Sequence, residues 1–134
     1  MHAGNPVVLI GLSSGETLND GNYARQAEMI MNKYWNKGFK NLTTSKIRSI
    51  YALIMNLYTR IDGEESFQKH RSDIQYLKVR MAYEAGREDS VKSFLDETSL
   101  GKAVDNISDY DTFVLYCRYA ESLVAYFKFF GGRD

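Results

Sequence analysis

The sequence has few of the residues that interrupt helices or build metal and disulfide sites. Its single proline, Pro6, leaves the rest of the chain without the strongest helix breaker, which favours an all-α fold. The lone cysteine, Cys117, excludes an internal disulfide, and two histidines beside it are too few for a cysteine–histidine metal cluster. No run of residues approaches the roughly 20 consecutive apolar positions that cross a bilayer. The composition predicts a cytoplasmic helical protein with no metal or other cofactor and no membrane partner.

The 134 residues match the size of one domain, and a hydrophobic content of 44% is enough for a buried core. Residues 1–17 differ in character, because they contain Pro6, three glycines and only a short apolar run. We expect this segment to be a mobile N-terminal extension, an edge strand or a remnant of cloning. Residues 18–134 are expected to form one helical domain.

Hydrophobic periodicity predicts a single compact bundle of about five helical segments. The first begins near residues 20–22 and ends at Gly38. The second is the clearest, since hydroxyl residues at 43–45 offer an N-cap and the apolar positions that follow recur at helical spacing. Asp62-Gly63 is expected to end this helix. Its apolar stripe consists of Ile47, Ile50, Tyr51, Ile54, Leu57, Tyr58 and Ile61.

The third helical segment is expected to begin near residue 64 and to end before Gly86. At about 100° per residue, Tyr76, Arg80 and Tyr83 share a narrow sector away from its buried stripe. Aromatic and arginine side chains interleaved on a surface are suited to stacking and phosphate contact. Packing of these tyrosines on a neighbouring helix is the alternative.

Residues 88–111 are acidic and predict one helix and a second short one, interrupted at Gly101. We expect this acidic stretch to face a basic patch on another subunit. The last helix is expected to begin after Ser108 and to stop at residues 131–132. Cys117 falls on its apolar stripe, so we expect a buried thiol.

The formal net charge is zero, but the charge is unevenly distributed. Residues 21–61 hold seven basic groups and one carboxylate, whereas residues 62–134 hold ten basic and fourteen acidic groups. A basic segment repels itself unless an anion lies nearby, such as a nucleic-acid backbone or the acidic region of a neighbouring copy. The other explanation is a solvated lysine-rich face.

No arrangement of residues indicates an enzyme. His70 lies three residues before Asp73, but such a lone pair on a surface helix is far more often a local hydrogen bond than a catalytic dyad. The acidic pairs at 64–65 and 96–97 point to different sides of a helix, so they do not converge as acid–base partners must. We therefore predict a non-catalytic protein.

Three blocks of sequence carry a resemblance to a known family. They are LTTSKIRSIYALIMNLY at residues 42–58, YLKVRMAYEAGRE at 76–88 and CRYAESLVAYFKFFGGRD at 117–134. In their order and spacing they resemble the small subunit of the type III-A CRISPR effector, the Csm complex. Weaker similarity extends from about residue 18 to the C-terminus, whereas residues 1–17 do not match the pattern.

The resemblance implies an all-helical, non-catalytic subunit of an antiviral ribonucleoprotein. Several copies would stack beside the backbone subunits, along the duplex of CRISPR guide RNA and target RNA. The implied partners are these two RNAs, the other subunits of the effector and further copies of the chain itself. In this family, cleavage of RNA and of DNA belongs to other subunits.

The sequence of a guide–target duplex changes with every guide, so we expect contacts to the RNA backbone rather than to base edges. Lys46, Arg48, Lys78, Arg80 and Arg87 are the leading candidates for these contacts, and the last helix adds Arg118 and Lys128 as secondary ones. Each could instead pair with a neighbouring subunit. The alternative function is a protein–protein adaptor in a multi-subunit assembly, with no direct RNA contact.

Overall fold

The computed structural model describes residues 8–9 (backbone only), 17–35, 39 and 41–132, and it confirms the all-α fold class. Most of these residues lie in seven α-helices and one short 3-10 turn (Val104–Asn106). None of the helices in the described ranges is long and apolar enough to cross a membrane. The helices are α1 (Tyr23–Tyr34), α2 (Thr44–Tyr58), α3 (Glu64–Lys69), α4 (Arg71–Arg87), α5 (Asp89–Thr98), α6 (Leu100–Ala103) and α7 (Tyr110–Phe129).

A two-stranded antiparallel pair precedes the helices. Strand β1 (Val8–Leu9) pairs with β2 (Leu18–Asn19), and β1 also contacts α7. Part of the segment 1–17 is therefore a strand. The mobility expected for this segment concerns residues 1–7 and 10–16, which lie outside the described part of the chain.

The core forms around α7, which packs against α1 and α2. Asp109 caps α7, because its side chain accepts the Thr112 amide at 2.9 Å while Thr112 Oγ1 accepts the Asp109 amide. This start after Ser108 confirms the prediction, as does the end of the helix just before residues 131–132. The apolar stripes expected in α2 and α7 are largely buried where the two helices pack together, with Tyr51 half-buried and Tyr58 exposed at the edge.

The predicted third helix is wrong in one respect, because it is two helices with a break at His70. The His70 amide bonds to the carbonyls of Ser66 and Phe67, and its ring Nδ1 lies 2.8 Å from the same Ser66 oxygen. α3 is anchored on α7, where Glu64 accepts the Tyr110 amide at 2.9 Å. α4 instead packs against α2 and α5. The two pieces pack on different helices, so the chain turns between them.

Two glycines predicted to interrupt helices lie inside them. Gly86 belongs to the last turn of α4, and Gly101 lies within α6. The break between α5 and α6 falls instead at Ser99, whose φ of 62° is left-handed. The Leu100 amide donates to Thr98 Oγ1 at 3.2 Å, so a side chain satisfies the backbone at this break without a glycine.

The ends of the first two helices also differ from expectation. α1 ends at Tyr34, and Gly38 lies outside the described residues. Thr43 caps the start of α2, as predicted, by accepting the Lys46 amide. α2 ends at Tyr58, before Asp62-Gly63, because the side chains of Thr59 and Arg60 both donate to the Asn56 carbonyl.

Candidate nucleic-acid interface

α2 and α4 lie side by side in antiparallel orientation, and an ion pair joins them near each end. Lys46, in the first turn of α2, places Nζ 3.2 Å from Glu88 Oε2, just after the end of α4. Arg60, just past the end of α2, places Nη1 3.6 Å from Asp73 Oδ2 in the first turn of α4. Basic residues therefore lie at both ends of the seam between the two helices.

A groove of about 400 Å³ opens along this seam. Its apolar lining comes from Leu53 and Leu57 of α2 and Leu77 of α4, whereas Arg60 and Arg80 are its basic residues. We call this depression the α2–α4 groove. It is completed by Ala52, Asn56, Asp73 and Tyr76.

The two arginines of the groove are held differently. Arg60 donates through Nε to the Asn56 carbonyl at 3.3 Å and through Nη2 to Asn56 Oδ1 at 3.0 Å. Its guanidinium is therefore oriented before any ligand arrives. Arg80 is exposed and makes no hydrogen bond or ion pair with any residue in the described ranges. Its donors remain available to an anion.

Helical periodicity extends the basic lining along the seam. Seven residues are nearly two turns of an α-helix, so Lys46 lies on the same side of α2 as Leu53, and Arg87 on the same side of α4 as Arg80. The structure thus brings three of the predicted residues to one face, together with Arg60. We call Lys46, Arg60, Arg80 and Arg87 the α2–α4 basic face.

The exposed surface of α4 beside this face is partly apolar. Tyr76, Val79 and Tyr83 are 58%, 58% and 61% exposed, which confirms that the two tyrosines point away from the core. The Arg87 guanidinium lies over the Tyr83 ring, with 5.6 Å between Cζ and the ring centroid, and 3.3 Å from Glu84 Oε1. The Tyr83 ring is thus already partly covered.

Arg48 is not brought to the α2–α4 basic face. It is two residues, or about 200° around the helix axis, from Lys46. Arg48 is exposed and has no hydrogen bond or ion pair within the part of the chain that the structure describes. Lys46, by contrast, also donates to the Asn41 carbonyl at 3.1 Å.

Lys78 lies on the other flank of α4. Its Nζ is 2.8 Å from both carboxylate oxygens of Asp105, in the 3-10 turn. Both residues line a second groove, of about 480 Å³, between α4 and the α5–α6 region, which Lys92 and Lys102 also line. An intramolecular carboxylate therefore compensates the charge of Lys78.

Arg118 and Lys128 are both on α7. Arg118 is exposed, and its guanidinium contacts no hydrogen-bond acceptor among the described residues. Lys128 Nζ lies 3.4 Å from the Gly132 carbonyl, beyond the end of the helix. Neither residue lines the α2–α4 groove.

The side chains considered for catalysis either contact other groups of the protein or are buried. His70 Nδ1 contacts the Ser66 carbonyl, and Asp73 pairs with Arg60, so these two side chains do not form a dyad. Cys117 is buried, which raises the pKa of its thiol to about 12 and disfavours the nucleophilic thiolate. Within the described ranges, no three or more His, Cys, Asp or Glu side chains are grouped to hold a metal ion.

Comparison with known proteins assigns the chain to a family. The sequence model of the family described as Csm2 Type III-A matches residues 21–133. The chain belongs to the Csm2 type III-A family. This membership confirms the resemblance to the small subunit of the type III-A CRISPR effector.

Curated Csm2 relatives cover most of the same length. A protein named CRISPR system Cms protein Csm2 from Streptococcus thermophilus is 42% identical over 119 residues, which is 87% of this chain and 98% of the relative. The protein of that name from Enterococcus italicus is 42% identical over 98 residues, 69% and 70% of the two chains. The one from Mycobacterium tuberculosis is 34% identical over 116 residues, 84% and 94% of the two chains.

In this Csm2 chain, Arg60 is the groove residue that sequence reasoning missed as a candidate. A signal was present, because Lys46, Leu53 and Arg60 are spaced seven residues apart and so fall on one side of a helix. The expected end of α2 also lay beyond Arg60. What no sequence pattern gives is the Asn56 side chain that fixes the Arg60 guanidinium.

Proposed function

We propose that this chain is a non-catalytic subunit of a type III-A CRISPR RNA-guided complex. It stacks in several copies and binds the guide–target RNA duplex through backbone contacts, without sequence preference. The observation that carries the proposal is the α2–α4 basic face, in which two helices contribute cations to one seam. Its partners are the guide and target RNAs, the other subunits of the complex and further copies of itself, all in the cytoplasm.

The chemistry of the basic face suits a phosphate backbone. Lys46, in the first turn of α2, and Arg60, just past its end, are about 21 Å apart along the helix axis if each residue rises about 1.5 Å. Cations spread over such a length contact several phosphates and release condensed counterions, whatever the base sequence. The carboxylates that pair with Lys46, Arg60 and Arg87 form single ion pairs that are exposed or partly exposed, which contribute little and can exchange for phosphate.

Two side chains support a binding role rather than a catalytic one. Cys117, the only thiol, is buried, and burial raises its pKa to about 12. The His70 ring contacts the Ser66 backbone carbonyl through Nδ1. The thiol and the imidazole are therefore used within the fold.

The reconstituted complex tests the basic face directly. Arg80→Gln/Arg87→Gln removes two charges from it. Lys92→Gln/Lys102→Gln is the matched control, because these two lysines of α5 and α6 line the second groove, on the other side of α4. We expect the first pair to weaken target-RNA binding and to make the slope of log affinity against log salt shallower by roughly 1–2 per copy. Equal effects of the two pairs would contradict the proposal.

A second variant separates Lys46 from Arg48. Lys46→Ala should weaken target-RNA binding in the reconstituted complex more than Arg48→Ala, because only Lys46 lies on the seam. If Arg48→Ala weakens binding and Lys46→Ala does not, the interface lies on the other side of α2. Unchanged affinity and unchanged salt slope for the double variant would remove both residues from the RNA site.

The exposed apolar residues of α4 favour a second candidate, the protein–protein adaptor without RNA contact. Tyr76, Val79 and Tyr83 follow one line along the helix, as residues that dock on a partner helix do. In that case, the basic segment pairs with the acidic region of the next copy. Charge reversal at Asp96/Glu97 should then restore assembly that is lost by reversal at Lys46/Arg48, and absence of rescue would count against the adaptor.

A further inference from the structure

The α2–α4 groove has apolar residues in its lining as well as two cations. Cations alone are sufficient to bind a phosphate backbone, yet the half-buried Leu53 lines this groove together with its two arginines, and the buried Leu57 and Leu77 border it. A volume of about 400 Å³ is within the range of pockets that take small organic groups. The groove therefore offers one half-buried leucine next to two cations.

Tyr76 provides an aromatic ring with a free face at this place. Its side chain lines the groove, is 58% exposed, and contacts no aromatic ring or cation among the described residues. Tyr83, seven residues further along α4, has one face of its ring covered by Arg87 and does not line the groove. The two tyrosines are similar in exposure but differ in their ability to stack on a ligand.

The charges of the groove favour a nucleotide over other ligands with a flat ring. Arg80 has no partner in the described chain, so it can donate two hydrogen bonds to a phosphate. Arg60 is held by Asn56 with its plane fixed, and a guanidinium plane stacks on bases as aromatic rings do. The single carboxylate, Asp73, leaves the groove with a net positive charge.

We propose that the α2–α4 groove binds one unpaired ribonucleotide, with its base against Tyr76 and Leu53 and its phosphate on Arg80. This inference rests on the proposed function, since it takes RNA as the ligand, but it adds a site for a base to a surface for phosphates. A base inside a duplex is stacked and cannot enter, so the nucleotide comes from an unpaired position of the strand.

Two single strands with equal charge test the inference on the full-length protein. One is oligouridylate of about 10 nucleotides, and the other is an abasic ribose-phosphate strand of the same length, both end-labelled for fluorescence anisotropy. We expect the base-bearing strand to bind roughly 5-fold to 150-fold more tightly, the range for stacking of one base. Tyr76→Ala should bring the ratio of the two affinities close to one.

Two variants control for folding and for general surface effects. Tyr76→Phe keeps the ring and should keep the ratio, whereas Tyr83→Ala removes a similarly exposed tyrosine and should leave it unchanged. Arg80→Gln should weaken both strands together. A ratio of one in the unmodified protein, or an equal loss with Tyr83→Ala, overturns the inference.

An RNA duplex measured in parallel distinguishes the two proposals. Salt-dependent duplex binding with equal affinity for base-bearing and abasic strands overturns the nucleotide site and leaves the backbone-binding function in place. Absence of binding to any of the three RNAs overturns both. Tighter binding of the base-bearing strand that survives Tyr76→Ala also overturns the site, because the base is then held elsewhere.

Discussion

Lys78 and Asp105 form a two-point ion pair, in which Nζ lies 2.8 Å from each carboxylate oxygen. The pair joins α4 to the 3-10 turn across 27 positions of sequence, and both side chains are about half exposed. This contact separates Lys78 from Arg80, two residues further along α4, because Arg80 lines the α2–α4 groove and has no such partner. Sequence alone ranked the two residues equally as RNA contacts.

Lys78→Gln should therefore affect neither stability nor RNA binding strongly. An exposed ion pair contributes about 0.2–1 kcal/mol, so the free energy of unfolding in urea should fall by no more than that. Target-RNA affinity should fall less than with Arg80→Gln, which removes an equal charge from the groove. A loss of affinity as large as that of Arg80→Gln would indicate that Lys78 contacts the RNA.

Gly86→Ala and Gly132→Ala should change stability in opposite directions. A methyl group at Gly86 meets no atom within 4 Å, so alanine should stabilise the last turn of α4 by about 0.5–1 kcal/mol. At Gly132, the added carbon would lie 2.8 Å from Cζ of the buried Phe127 ring, which should cost about 1–3 kcal/mol. Urea unfolding of both variants measures the difference, and a destabilised Gly86→Ala protein would contradict it.

Gly86 and Ser99 show what local sequence could and could not predict. The apolar stripes of α2 and α7 were correct because burial imposes their spacing and the spacing is visible in the sequence. The break at Ser99 was missed, since its left-handed backbone is supported by the Thr98 side chain and by two distant tyrosines. Glycine at positions 86 and 101 was a misleading signal, because neither backbone needs a positive φ there.

In the candidate site, too, some features were predictable from the sequence and others were not. Helical spacing correctly brought Tyr76, Arg80 and Tyr83 to one exposed sector of α4, because that arrangement depends on one helix alone. The pairing of Lys78 with Asp105 and the seam between Lys46 and Glu88 depend on contacts between elements far apart in sequence. Such contacts need the packing of α4 against its neighbours, which no residue pattern specified.

Tyr119→Phe should destabilise the protein, because the Tyr119 hydroxyl donates to the Thr98 carbonyl at 2.7 Å beside the Ser99 break. Thr98 is fully buried, so its carbonyl would lose this partner without access to water, at a cost of about 1–3 kcal/mol. Tyr126→Phe is the matched control, since its hydroxyl has no hydrogen bond in the described structure. Equal urea midpoints for the two variants would show that the Tyr119 bond contributes nothing.

The stability of the protein should fall at alkaline pH through Cys117. Burial raises the pKa of this thiol from its ordinary 9.0 to about 12, so between these values the unfolded chain releases a proton that the folded chain keeps. The contribution of the thiol to the free energy of unfolding is therefore fully present below the pKa of the unfolded chain. It is lost as pH rises toward the pKa of the folded chain, by at most about 1.4 kcal/mol per pH unit.

Cys117→Ala removes the contribution of the thiol and keeps the buried tyrosines in place. Urea unfolding at pH values from about 7 to about 11 should give a less steep decline for the variant, whatever its stability at neutral pH. Burial raises the pKa of Tyr116 most and the Cys117 charge raises it further, so the difference between the two proteins reports the thiol together with its coupling to this tyrosine. Identical slopes would show that the thiol is not protected in the folded state.

Asp73→Asn should strengthen RNA binding rather than weaken it. The Asp73 carboxylate lies in the α2–α4 groove, 3.6 Å from the Arg60 guanidinium, where it repels phosphate and compensates a cation. The amide keeps the shape and removes the charge, so affinity for target RNA in the complex should rise roughly 2-fold to 5-fold. The slope of log affinity against log salt should steepen by up to about 0.9 per copy, the value for one further phosphate contact.

Asp105→Asn is the matched control for this gain, because it changes the net charge equally and frees Lys78 on the other flank of α4. If the α2–α4 basic face binds the duplex, Asp105→Asn should leave affinity and slope nearly unchanged. An equal gain from both variants would indicate that overall charge, rather than the groove, attracts RNA. A loss with Asp73→Asn would instead mean that the carboxylate is needed to hold Arg60 in its binding position, and the orientation by Asn56 alone would then be insufficient.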